Sequence, residues 1–129
     1  MSEPVWVRED VARAVHRRQI AEHGGLDGVR DPGLLTSALE RPKSLLTYGD
    51  PAPDLAALAA AYAWGVARNH PFADGNKRTE LVLLRLFLRL NGTDLTASGT
   101  DKYGTMMRLA AGELSEEALA GWIRAHMAV

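Results

Sequence analysis

His70-Pro71-Phe72-Ala73-Asp74-Gly75-Asn76-Lys77-Arg78 runs without a break into Thr79-Glu80-Leu81-Val82-Leu83-Leu84-Arg85-Leu86-Phe87-Leu88-Arg89-Leu90. The second half carries apolar residues on nearly every side of a helix, which predicts a central, buried helix that stops at Asn91-Gly92. The first half sets a turn, Gly75-Asn76, immediately before it. A helix's first turn leaves backbone N–H groups unpaired and carries about half a positive charge, so anions settle there. Lys77 and Arg78 stand in that turn although cations there oppose the dipole, and a negatively charged ligand would offset the repulsion.

The flanking elements are helical too. Aromatic residues make up 6% of the chain, no stretch alternates apolar and polar residues for a useful length, and alanine and leucine dominate. A first helix is expected from Arg8 to His23, halted by Gly24-Gly25. Asp31-Pro32 opens a second, which Pro42 should end near Arg41. Pro42 to Pro53 holds three prolines and is expected to be extended and exposed, a short hairpin or flap. Asp54 caps a third helix, Leu55 to Arg68, and two more are expected around Lys102–Ala111 and Glu116–Met127, the last capped by Ser115. The expectation is an all-α fold, a compact single-domain helical bundle spanning residues 1–129.

Composition excludes several functions. With 129 residues there is room for one core. A net charge of -1 and a pI near 6.4 argue against direct nucleic-acid binding. The absence of cysteine excludes disulfides and thiolate metal sites and fits the cytoplasm. The N-terminus lacks the pattern of a signal peptide, and the most apolar run is broken by Arg85 and Arg89 and is too short to span a membrane.

Each residue of the opening stretch has an ordinary explanation when taken singly: a surface histidine, an Asp-Gly-Asn turn, a solvated helix start. Together they make a phosphate-handling set. His70 offers an imidazole that can accept a proton. Asp74 offers the single carboxylate with which Mg²⁺ is commonly held beside substrate phosphates and water. Gly75 admits close approach of a ligand to the backbone, Lys77 is a mobile point charge, and Arg78 is a planar fork for phosphate oxygens. Phe72 serves as an anchor into the core and Pro71 as a stiffener.

At these residues the chain resembles the Fic/Doc superfamily, whose motif is His-Pro-Phe-x-Asp/Glu-Gly-Asn followed by basic residues. Asn76-Lys77-Arg78-Thr79 is similar to the death-on-curing (Doc) branch, the toxins of bacterial toxin–antitoxin pairs, as are His23-Gly24-Gly25-Leu26, Val29 to Leu35 and Phe87 to Gly92. The resemblance implies that His70 takes the proton from a target hydroxyl, Asp74 holds Mg²⁺, and Gly75 with Asn76 forms an anion hole. It further implies that Lys77 and Arg78 grip the phosphates of ATP, with Arg68 a second contact for phosphate or partner, and that Pro42–Pro53 is a flap aligning the target. Members that transfer AMP usually have Gly where this chain has Lys77 and Arg where it has Leu81. The implied activity is therefore transfer of the γ-phosphate to Ser or Thr, with elongation factor Tu the first target to consider. AMP transfer and a catalytically weakened binding module are the alternatives.

Glu80 departs from the branch, which places a small residue there; its carboxylate is expected either to favour the helix dipole or to compete with phosphate and weaken activity. The self-inhibitory pattern Ser/Thr-x-x-x-Glu-Gly/Asn is absent, because Thr36 to Glu40 is followed by Arg41. The inhibitor is thus expected on a separate antitoxin, as a helix laid in an apolar groove.

Overall fold

Short polar side chains start four helices, each accepting a hydrogen bond from a free N–H of the first turn: Asp31 from Leu34, Asp54 from Ala57, Ser98 from Asp101, and Ser115 from Ala118. The computed structural model describes residues 3–128, and among them six helices follow in order. These are α1 (Glu9–His23), α2 (Pro32–Tyr48), α3 (Leu55–Asn69), α4 (Asn76–Leu90), α5 (Gly99–Ala110) and α6 (Glu116–Ala125). The only β-pairings among the described residues are two isolated bridges, Val29 with Phe72 and Leu95 with Met127. The all-α expectation holds, and no helix is long and apolar enough to cross a membrane among the described residues.

The helix that others surround is α3. Its run of alanines buries all sides, and α2, α4 and α6 pack around it. Small side chains permit this, most of all at Gly65, where an added Cβ would lie 3.2 Å from both the Cα and the carbonyl oxygen of Ala38 in α2. The helix after the motif loop, α4, lies against the core but not at its centre. Thr79, Glu80, Leu83, Leu84, Phe87 and Leu88 are buried, while Leu81, Val82 and Leu86 are half-buried and Leu90 is exposed. Counting apolar residues around the helix overstated its burial, because leucines on the outer half of a small domain commonly remain partly wet.

Pro42 does not end α2. It sits buried inside the helix, which continues to Tyr48, so the first half of the expected extended segment is helical. Proline forfeits a helical hydrogen bond and crowds the carbonyl four residues back, and burial of its ring against the core acts against that cost.

Candidate active site

His70 ends α3 in the left-handed conformation (φ 46°, ψ 56°), the only non-glycine with positive φ among the described residues. Histidine tolerates this better than most side chains, but a structure must still hold it there. Here the His70 N–H donates to the Val66 carbonyl (3.0 Å). Arg30 then closes the end of α3, its Nε donating to the His70 carbonyl (2.9 Å) and its Nη2 to the Asn69 carbonyl (3.0 Å). The backbone turn points the chain out of the helix and leaves the imidazole exposed.

The loop that follows is locked from three sides. Asn76 reaches back to Phe72, its Oδ1 accepting from the Phe72 N–H (3.2 Å) and its Nδ2 donating to the Phe72 carbonyl (3.0 Å). Phe72 is buried, as expected of an anchor, and its ring lies flat on that of His16, with centroids 4.0 Å apart and planes at 5°. His16, itself buried, has Nε2 2.7 Å from the Asp74 carbonyl. A carbonyl only accepts, so Nε2 carries the proton. The third side is the α1–α2 connection: Ala73 N–H donates to Gly28 (3.0 Å) and Arg30 N–H to Pro71 (2.7 Å).

That connection, rather than Pro42–Pro53, runs beside the motif. The remainder of the expected flap lies at the N-terminal end of α3, whereas His70 lies at its C-terminal end. A helix of 15 residues places the two about 22 Å apart. Gly25 in the α1–α2 connection (φ +115°) comes so close that an added Cβ would stand 2.7 Å from Asp74 Oδ2.

The N-terminus of α4 has no side-chain cap, Gly75 occupying the cap position at φ 75°. Its own N–H is turned to Asp74 Oδ1 (2.8 Å), and the first backbone bond of the helix is Thr79 N–H to Gly75 (3.1 Å). The N–H groups of Asn76, Lys77 and Arg78 therefore have no protein partner among the described residues. They, and not the Asn76 side-chain amide, are the donors left open to an anion, because that amide is committed to Phe72.

A cavity of about 650 Å³ opens over this helix end, lined by His70, Asp74, Gly75, Asn76, Lys77 and Arg78 together with Leu81 and four residues of α5: Gly99, Lys102, Tyr103 and Met106. Lys77 and Arg78 are exposed and have no carboxylate partner among the described residues; the Lys77 ammonium rests 3.1 Å from the Met107 sulfur. Asp74 is exposed, its carboxylate accepting from the N–H groups of Gly75 and Leu26 (3.3 Å), with lone pairs to spare. No group of three or more metal-ligating side chains occurs among the described residues. A single aspartate beside phosphate-binding donors nevertheless suits Mg²⁺, which takes most of its ligands from phosphate and water.

Besides the buried Phe72, two expected residues stand outside this cavity. Arg68 lines a different cavity, in which His70 also takes part. Glu80 faces the protein interior, 2% exposed, with Oε2 lacking a hydrogen-bond partner among the described residues. Burial pushes its carboxyl from the ordinary 4.5 up to about 8, opposed in part by Lys77. At neutral pH it is mostly uncharged and off the cavity, so direct competition with phosphate does not arise from this arrangement.

Sequence reasoning missed His16 and Arg30, whose partners are 58 and 40 residues away in the chain. Replacing His16 by Phe keeps a ring against Phe72 but strands the Asp74 carbonyl, and a loss of about 1–3 kcal/mol in stability is expected. His16→Gln restores a donor and should recover part of that loss in urea unfolding. Equal losses in both variants would show that the ring, not the hydrogen bond, matters.

Comparison with known proteins agrees with the geometry. The model of the family described as "Fic/DOC family" matches residues 6–88. The chain is 35% identical over 111 residues to "Protein kinase doc" of Escherichia phage P1, covering 86% of each chain. It is 44% identical over 90 residues to "Toxin Doc" of Mycolicibacterium smegmatis, covering 70% of this chain and 66% of that one.

Proposed function

Because the chain belongs to the Fic/DOC family, we propose that it is a Doc-type toxin that transfers the γ-phosphate of ATP to a Ser or Thr hydroxyl of a cytoplasmic protein. The observation that carries this reading is the uncapped N-terminus of α4, whose free N–H groups, Lys77 and Arg78 share one cavity with an exposed histidine and an aspartate. The names of the two relatives, a kinase and a toxin, support it.

In this reading the triphosphate lies along the start of α4. The N–H groups of Asn76, Lys77 and Arg78 and the two side-chain cations hold its oxygens, so the developing charge meets donors already in place. Mg²⁺, held through Asp74, would supply further neutralisation of phosphate charge. His70 accepts the proton of the acceptor hydroxyl as that oxygen bonds to the γ-phosphorus, the bond to the β–γ bridging oxygen breaks, and ADP leaves. Elongation factor Tu is the first target to test, and a separate antitoxin is the proposed inhibitor.

The test uses ATP labelled at the γ- or the α-phosphorus, incubated with the protein and a bacterial extract. Label in protein from γ alone is expected. Label from both positions would mean AMP transfer, and label from neither would refute transfer to any protein of that extract.

A further inference from the structure

A second cavity, of about 560 Å³, meets the first at His70, the one residue that lines both. It runs between the C-terminal end of α3 and the connection from α5 to α6. Its floor is apolar, from Trp64 and the buried Leu114. Trp64 is held between two guanidinium groups, with Arg41 Cζ 4.4 Å and Arg68 Cζ 4.7 Å from its ring centroid. Arg41 is spent on Glu116 (2.6 Å), which leaves that pair as a neutral wall. Arg68 has no carboxylate partner among the described residues, although stacking fixes its position two residues from the base.

We infer that this cleft is the docking site for the protein acceptor, seating an extended segment whose Ser or Thr reaches His70 and whose neighbouring acidic side chain pairs with Arg68. The inference rests on the phosphotransfer reading and deepens it. In-line transfer sets the entering and leaving oxygens on opposite sides of phosphorus. With the donor along α4, the acceptor must come from across His70, and the cleft that starts there is continuous with the site. An immobilised cation lacking a counter-charge, beside an apolar shelf, fits a carboxylate flanked by an apolar side chain. Glu113, exposed, lining the same cleft and also without an ionic partner among the described residues, would repel a second acid and limits the match to one.

The rim charges are exposed, so their substitution should leave folding intact. Arg68→Glu is expected to lower γ-label transfer into extract proteins by about tenfold or more while Mg·ATP affinity, measured by titration, stays within about twofold. Glu113→Lys is expected to maintain or raise transfer. Parallel loss of Mg·ATP affinity in Arg68→Glu would make Arg68 a nucleotide ligand and overturn the assignment. Unchanged transfer would leave the cleft to another occupant, and loss in Glu113→Lys alone would indicate a basic acceptor; either overturns it. Absence of transfer by the unsubstituted chain would instead strike at the phosphotransfer reading, and so is distinguishable from failure of the cleft.

Discussion

His70→Ala is expected to lower γ-phosphate transfer by about 10²–10⁴-fold, the usual contribution of a positioned base, and to restore growth to cells that express the chain alone. The structure motivates both the size and the selectivity of the effect. His70 is the one residue that lines both cavities among the described residues, with its backbone held by Val66 and Arg30 rather than by its ring. Removing the imidazole should therefore leave the turn standing. The phosphate donors are on α4 and do not depend on it, so Mg·ATP affinity should change by no more than about threefold, a kcat effect more than a binding effect. Growth arrest by the alanine variant equal to that of the parent would exclude His70-dependent catalysis as the cause of toxicity.

Glu80→Gln is expected to change the pH dependence of stability more than any other single substitution. Below pH 4.5 the carboxyl is protonated in both folded and unfolded chains. Between 4.5 and about 8 the unfolded chain releases the proton while the folded chain keeps it, so stability falls as pH rises, and above about 8 the full penalty of a buried carboxylate is present. That span corresponds to roughly 5 kcal/mol. Glutamine has no such titration, and its advantage over the parent in urea unfolding should widen by several kcal/mol between pH 5 and pH 8.5. Stability curves that run parallel across this range would refute the assignment. Because Glu80 does not line the cavity, Mg·ATP affinity at pH 7 should stay within about twofold in the same variant.

Helix starts were legible because their causes are local: Asp31, Asp54 and Ser115 each reach an N–H three residues on. The motif cations and the exposed aspartate were legible because all the groups sit in one short turn. Pro42 misled for a physical reason: its lost hydrogen bond and ring crowding are local, whereas the burial of its ring that acts against them is not. Glu80 misled similarly, since a carboxylate at a first helical turn favours the dipole when wet and is neutralised when buried.

The amino-acid order alone determined that the chain is helical, where most helices begin, and that a glycine turn followed by two cations opens α4. Those features depend on contacts within about one turn of helix. Only the tertiary structure decided that α3 occupies the centre, that His16, Arg30 and the α1–α2 connection hold the loop, and that His70 stands between two cavities. These depend on residues brought together from tens of positions apart, where side-chain volume and the need to satisfy buried polar groups, rather than local preference, select the arrangement.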